Sequence, residues 1–260
     1  MRVKAFRPEV ATQVLRQQTK GLPGTVGVTV TDLQSGLTAS LNPMTTFNGA
    51  STLKVPIAMA VLQLVDQGRL SLDQTIAYQE SDFEAGTGTL QGTIQPGDRL
   101  SIERLLELMI TVSDNIARNM LERYIGSEAI RAYMLSVGAT PPYDPETRLV
   151  TPYGMNQVLL ALDTGRSGLS EESTKRLLGW MENTIHRTRI PRFMPADVTV
   201  ANKIGTWPGE VHDIGLVYAP DRSFAISVFT KGIPEEQAEE AIGRIAAAIY
   251  WYLDSLAAPE

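Results

Sequence analysis

The sequence predicts a mixed α/β fold, an α+β sandwich in which the terminal helices flank an antiparallel five-stranded sheet and an all-helical lobe is inserted into it. Strand-like alternation of apolar and polar residues occurs twice near the start of the chain and three times near its end, and helical periodicity fills the stretch between them. The two early strands can join the three late strands in one sheet only if the helical middle is an insertion.

The first part of the chain predicts a helix followed by a hairpin. A polar, amphipathic helix over 9–20 is ended by the Gly21-Leu-Pro-Gly24 break. Residues 26–30 and 37–41 then alternate as strands around a turn-like segment at 32–36.

The middle of the chain predicts helices and the last third predicts strands. Ser101 is expected to cap one helix. The other helices are predicted from apolar residues at helical spacing, and the late strands from alternation of apolar and polar residues. The predicted helices cover 57–65, 102–110, 116–124, 127–135, 153–162, 171–181 and 235–256, and the predicted strands cover 198–203, 211–219 and 224–230. We therefore assign residues 1–50 and 186–260 to a sheet lobe and 51–185 to a helical lobe of one domain, with the active site expected in the groove between the lobes.

Composition excludes several classes of protein. The 260 residues include no cysteine and two histidines, which excludes a thiol nucleophile, disulfides, cysteine-ligated zinc and a three-histidine zinc site. We therefore expect no metal and no cofactor. A net charge of −6 without a basic run gives no reason to expect nucleic acid as a partner.

The sequence also bears on location and partners. The apolar stretches are too short to span a membrane, and residues 1–8 do not resemble a signal peptide. Either the protein stays in the cytoplasm or a leader has been removed, and the sequence leaves both possibilities open. The expected partner is a small-molecule or peptide-like substrate, and the oligomeric state is not readable.

The first candidate motif is Ser51-Thr-Leu-Lys54, where the hairpin meets the first long helix. Residues three apart on a helix share a face, so Lys54 can reach Ser51 and remove its proton if burial or a nearby cation lowers the lysine pKa. Pro56 is compatible with a helix start. The ordinary alternative for this tetrad is a helix cap followed by a solvated lysine.

Two further motifs favour the functional interpretation. Ser113-Asp-Asn115 falls in the helical lobe, and Lys203-Ile-Gly205 ends the first late strand before Thr206. A lysine followed by glycine on a strand edge places a cation and open backbone amides beside a ligand. Each motif alone is common, but their order and spacing together are not.

In this order, Ser-x-x-Lys, Ser-Asp-Asn and a Lys-Thr-Gly-like triplet mark class A β-lactamases and penicillin-binding proteins. The chain resembles this family over nearly its whole length, and we identify it as a β-lactamase-like or penicillin-binding-protein-like serine hydrolase. The resemblance implies a β-lactamase/transpeptidase-like fold, an acyl-enzyme mechanism on amide or ester bonds, and a periplasmic or secreted location. The matching segments are 51–56, 106–115, 151–155 and 212–218.

The resemblance also implies roles for individual residues. Ser51 would be acylated, Lys54 would take its proton directly or through water, and Ser113 would pass a proton to the leaving nitrogen. The N–H groups of Ser51 and Thr206 would form the oxyanion hole.

Substrate binding would use the other motif residues. Asn115 would hydrogen-bond the substrate amide and Lys54, and Lys203 would hold the substrate carboxylate and tune Ser113. Gly205 would keep the strand edge open to substrate.

The first departure from the family pattern is Ile204, which stands where the family has a threonine or serine hydroxyl. Losing one hydrogen bond to a charged group costs about 1.5–3 kcal/mol, so substrate binding is expected to weaken by roughly one to two decades. Arg189 or Arg192 is a candidate replacement cation. We favour the alternative that both are solvated loop arginines.

The second departure is the segment 137–150, which is shorter than the family's Ω-loop and lacks its Glu-x-x-x-Asn pattern. Glu146 is the only glutamate in it, and we favour a surface role for this residue over that of a base. The hypothesis is that acylation survives while deacylation is weak. The chain would then act as a penicillin-binding or DD-peptidase-like enzyme, or as an acylated β-lactam sensor without efficient turnover.

Overall fold

The computed structural model describes residues 5–257, so residues 1–4 and 258–260 of the predicted sheet lobe lie outside the described residues. Its helices are α1 (Pro8–Thr19), α2 (Lys54–Asp66), α3 (Ile102–Thr111), α4 (Asn115–Ile125), α5 (Ser127–Ser136), α6 (Pro152–Asp163), α7 (Glu171–Glu182) and α8 (Glu235–Ala257). Its strands are β1 (Thr25–Asp32), β2 (Thr38–Leu41), β3 (Phe47–Asn48), β4 (Thr75–Ala77), β5 (Arg99–Ser101), β6 (Leu149–Val150), β7 (Thr199–Trp207), β8 (Glu210–Tyr218) and β9 (Phe224–Lys231).

The main sheet has five antiparallel strands in the order β2-β1-β9-β8-β7, which confirms the predicted fold class. Strands β1, β8 and β9 are buried along almost their whole length because both faces of the sheet are covered. Helices α1 and α8 pack on one face and the helical lobe packs on the other. Strand β7 lies at the edge of the sheet, and its last residues border the cleft beside the nucleophile segment.

The helical lobe is built around α2. Its residues from Lys54 to Leu62 are all buried, as expected for a helix that neighbours surround on every side. The predicted helices α2 to α7 all fall within 51–185. Apolar side chains of the sheet, among them Ala201, Ile214 and Phe229, join the same core as the helical lobe, and the division at residues 50 and 185 stays a prediction.

Two short antiparallel pairs, β3 with β6 and β4 with β5, have no counterpart in the sequence prediction. Strands of two or three residues are too short to show alternation. The β3–β6 pair matters for the site because it joins the segment 137–150 to the residues just before Ser51. No helix in the described range is long and apolar enough to cross a membrane.

Candidate active site

The predicted nucleophile lies on a tight turn between β3 and α2. Residues Ala50–Leu53 form a 3-10 helix that runs directly into α2. Ala50 has a φ of 45°, a left-handed conformation that costs free energy for a residue with a side chain. The side chain of Asn48 holds this conformation because its Oδ1 accepts a hydrogen bond from Ala50 N at 2.9 Å. The turn thereby presents Ser51 to the cleft.

Two buried side chains of β8 hold Asn48 in turn. Glu210 Oε2 accepts from Asn48 N at 2.9 Å, and His212 Nε2 lies 2.9 Å from Asn48 O. Since Thr230 N donates to His212 Nδ1, the ring is neutral with its proton on Nε2. Burial, the larger influence, lowers the pKa of His212 although Glu210 opposes the shift. Gly205 lets strand β7 pack closely against the turn, because a Cβ at this position would lie only 3.0 Å from Cγ2 of Thr52.

Lys54 is buried and points at the second motif. Its Nζ donates to Ser113 O at 2.6 Å, to Asn115 Oδ1 at 2.7 Å and to Ser113 Oγ at 3.1 Å. Burial and then the positive charge of Lys203 hold the pKa of the Lys54 amine well below its usual value. Among the described residues no hydrogen bond joins Lys54 Nζ to Ser51 Oγ, although both side chains line the same cleft.

Ser113 connects the two lysines. Lys203 Nζ donates to Ser113 Oγ at 2.9 Å, and the Lys203 side chain is fully buried. Burial lowers the pKa of Lys203 to about 7, against the opposing influence of Asp213. Ser113 has a φ of 57°, and it sits between α3 and α4 because Asp114 caps α4 through a bond from Ala117 N.

The cleft has a volume of about 260 Å³ and borders both lobes. Helix α4 and the loop at 84–87 form one wall, the edge of β7 forms another, and the segment 137–150 supplies Tyr143 and Arg148. Ser51, Lys54, Ser113, Asn115 and Thr206 all line it, whereas Lys203 and Gly205 lie behind its surface.

Arg189 corrects one sequence expectation. It was expected to be a solvated loop arginine, but it is only 1% exposed. Its Nη2 donates to Thr206 Oγ1 at 2.7 Å, its Nη1 donates to the carbonyls of Gly205 and His212, and its Nε binds Glu239 at 3.0 Å. Arg189 therefore supports the cleft edge of β7 from beneath.

The other two candidates lie at the surface. Arg192 is exposed, with its guanidinium 5.2 Å from the centre of the Phe193 ring. Glu146 is exposed and does not line the cleft, in agreement with the favoured surface interpretation. Its backbone N–H donates to Asp144 Oδ1 at 2.9 Å.

Four ionisable cleft residues were not predicted: Glu84, Arg118, Tyr143 and Arg148. Arg118 donates to Glu84 at 2.5 Å and to Glu122 at 3.1 Å, and Tyr143 donates to Glu122 at 2.5 Å. Helical spacing from Asn115 could have indicated Arg118, which lies one turn further on. No comparable signal marks the other three, because loop geometry brings them to the cleft.

A fold of this topology, in which two buried lysines meet on a serine beside a second serine that lines the cleft, defines a serine hydrolase of the β-lactamase type. A family model described as the beta-lactamase enzyme family matches residues 9–253, and the chain belongs to that family.

Curated relatives agree with this assignment. The chain is 28% identical to the extended-spectrum β-lactamase PER-1 of Pseudomonas aeruginosa, over 95% of this chain and 90% of that protein. It is 26% identical to a β-lactamase of Streptomyces albus G, over 86% of this chain and 77% of that protein.

Solved structures show the same architecture. A mutant of PBP-A in its acyl-enzyme complex with penicillin G superposes with a TM-score of 0.88 at 26% identity, covering 98% of this chain and 100% of that chain. A β-lactamase from Sphaerobacter thermophilus superposes with a TM-score of 0.86 at 28% identity and the same coverage.

Proposed function

We propose that the protein forms a covalent acyl-enzyme at Ser51 with β-lactams or related amides and esters, and that it releases the acyl group slowly. One observation carries the proposal. The hydrogen-bonded chain from Lys54 through Ser113 to Lys203 is complete beside Ser51, while the segment 137–150 brings no carboxylate to the cleft.

Acylation follows from the protonation state of Lys54. With its pKa held low, Lys54 gives up one of its three protons readily; the neutral amine keeps two N–H donors for its three acceptors and has a lone pair that can take the Ser51 proton, directly or through water. Ser51 Oγ then bonds to the substrate carbonyl carbon, and the backbone N–H groups of Ser51 and Thr206 stabilise the oxyanion. Ser113 Oγ gives its proton to the leaving nitrogen as the C–N bond breaks, and it is reprotonated from a neighbouring lysine.

Substrate binding uses the other end of the cleft. The substrate carboxylate is held between Lys203 and Thr206, where Arg189 adds positive charge and orients the Thr206 hydroxyl. Ile204 lines the cleft without a hydroxyl. Carboxylate binding therefore lacks one donor and is expected to be weaker by roughly one to two decades than with threonine there.

Deacylation needs a base that can activate water on the acyl-enzyme. Glu84 is the one carboxylate among the described residues that line the cleft, and Arg118 and Asn119 hold its Oε2 at 2.5 and 3.2 Å. Both contacts occupy this oxygen with side chains of α4. The absence of a positioned base typically slows the step it serves by ~10²–10⁴, which leaves a long-lived acyl-enzyme.

The test is covalent labelling by a fluorescent penicillin. Wild-type protein is expected to be labelled, Ser51→Ala is expected not to be, and Ser71→Ala, which removes an exposed serine away from the cleft, serves as the matched control. Labelling that persists in Ser51→Ala would rule out Ser51 as the nucleophile.

The same labelled protein separates the two functional alternatives. Loss of the label over minutes to hours, together with release of D-alanine from an added D-alanyl peptide, indicates a slow peptidase, because the acyl-enzymes formed with both substrates are then hydrolysed or transferred. Label that never decays favours an acylated β-lactam sensor. The observation that favours this second candidate is that the one carboxylate among the described cleft residues, Glu84, is already bound to Arg118.

A further inference from the structure

We propose that Arg148 binds a carboxylate on the acyl side of the substrate, so that the preferred acyl donors carry a second negative charge beyond the one held near Lys203. This inference rests on the proposed function for the orientation of the substrate. Acylation of Ser51 needs no such subsite, so a preference for dianionic acyl donors would be an additional property of this cleft.

The backbone of Arg148 is held firmly at the cleft wall. Its carbonyl accepts from Gly49 N at 2.8 Å, two residues before the nucleophile, and its own N–H donates to Asp144 O at 2.8 Å. The pairing of Asn48 with Leu149 continues this attachment. Arg148 has a φ of 51°, a conformation that glycine adopts without strain. Strain of this kind concentrates where a side chain has a functional task.

The two terminal nitrogens of the Arg148 guanidinium have no hydrogen-bond partner among the described residues. Its Nε donates to Pro145 O at 3.2 Å, whereas Nη1 and Nη2 have neither a hydrogen-bond acceptor nor a carboxylate partner within residues 5–257. The half-buried side chain lines the cleft. By contrast, the two buried arginines near the site are paired, Arg118 with Glu84 and Arg189 with Glu239.

The charge of the cleft points to an anionic ligand. The chain as a whole carries a net charge of −6, yet the arginines Arg118 and Arg148 line the cleft and Lys203 lies directly behind it. The carboxylate of Glu84 is already engaged by Arg118. Arg118 is offset by Glu84 and Glu122, whereas no carboxylate of the described residues is paired with Arg148, and such a charge in a cleft raises the local concentration of anions.

The orientation of the substrate assigns Arg148 to its acyl side. The leaving nitrogen faces Ser113, and the substrate's first carboxylate faces Thr206 and Lys203. The acyl group must therefore extend toward the remaining wall, which Tyr143 and Arg148 form. The Tyr143 hydroxyl is occupied by Glu122, so Arg148 alone offers free donors there, in a planar pair that suits a carboxylate.

The test uses two penicillins that differ by one group: benzylpenicillin and carboxybenzylpenicillin, which carries an additional carboxylate on its acyl side chain. The second-order acylation rate constant is measured for both, and their ratio is the readout. Wild-type protein is expected to favour the dianion by about tenfold, the size expected of one charge-assisted contact in a half-buried place. Arg148→Gln is expected to bring the ratio to about one, and Arg148→Lys to an intermediate value, since it keeps the charge but loses the planar pair of donors.

The control variant is Arg131→Gln, which removes the same charge from an exposed arginine that does not line the cleft. Its ratio is expected to equal that of wild type, which excludes a general effect of net charge. A wild-type ratio near one, or a ratio that Arg148→Gln leaves unchanged, overturns the proposal.

Equilibrium binding to Ser51→Ala separates this proposal from the proposed function. If neither penicillin acylates the wild-type protein, the proposed function has failed, and calorimetric titration of Ser51→Ala with the same two compounds still decides the subsite. Tighter binding of the dianion that disappears in Ser51→Ala/Arg148→Gln supports the subsite. Equal binding of both compounds refutes it.

Discussion

Replacing Lys54 by methionine separates catalysis from stability at a single buried position. Methionine matches the length of the lysine stem but cannot accept a proton, so acylation by benzylpenicillin is expected to fall by ~10²–10⁴, as for loss of a general base. The substitution removes three hydrogen bonds to Ser113 and Asn115, at about 1–3 kcal/mol for each acceptor that no other donor reaches. Ser113 Oγ keeps its bond from Lys203, and Ser113 O keeps its bond from Thr87. The substitution also removes the free-energy cost of burying the Lys54 amine, whose side chain is only 2% exposed. Replacing buried charged groups by apolar ones is often neutral or stabilising for this reason.

The pH dependence of unfolding shows which of these energies is larger. Because the folded pKa of Lys54 lies well below its ordinary value of 10.5, the unfolded chain binds more protons between the two values. The stability that this group contributes is complete above pH 10.5 and is lost as the pH falls through the folded pKa. In urea unfolding, wild type should therefore gain stability relative to Lys54→Met as the pH rises, by at most about 1.4 kcal/mol per pH unit. Lys54→Met protein that acylates within a few-fold of wild type would refute the role of Lys54.

Three further predictions follow from the site. As the pH rises, the acylation rate constant should increase when Lys54 loses its proton and then decrease above a pH of about 7, when Lys203 loses its proton. The decrease should be absent with the methyl ester of benzylpenicillin, because this substrate has no carboxylate for Lys203 to bind. His212→Phe should lower the limiting acylation rate about tenfold with little change in the binding constant. The substitution removes the hydrogen bond to Asn48 O that holds the Ser51 turn, and leaving a buried acceptor unpaired costs about 1–3 kcal/mol. Stopped-flow labelling measures the two constants separately. Glu146→Gln should leave the deacylation rate unchanged in a chase experiment, and a slower release would show that this exposed carboxylate reaches the acyl-enzyme.

Much of the fold and the polar centre of the site was predictable from sequence. Strand-like patterns over 26–30, 211–219 and 224–230 identified β1, β8 and β9, and the strands extend one or two residues beyond most of these bounds. The motifs identified Lys54, Ser113 and Lys203, because each carries a chemically distinctive residue at a fixed distance from a helix or strand boundary. These three side chains meet as the motif order implied.

The rest depends on contacts that no local pattern records. Arg189 was expected to be solvated, and it is buried because α8 brings Glu239 beside it from 50 positions further along the chain. Arg148 reaches the cleft through a left-handed backbone and a two-residue strand pair, neither of which has a sequence signal for arginine. Long-range packing and loop conformation therefore determine the cleft walls, whereas the motifs determine its polar centre.

The most direct measurement is intact-protein mass spectrometry during incubation with benzylpenicillin, followed by removal of free drug and a chase. We expect a single adduct with the mass of the intact penicillin, mapped to the peptide that contains Ser51, which forms quickly and persists through a chase of many minutes. Chromogenic cephalosporin turnover measured in parallel should stop after about one equivalent. Rapid sustained turnover without an accumulated adduct would contradict slow deacylation, and an adduct on any other residue would contradict Ser51 as the nucleophile.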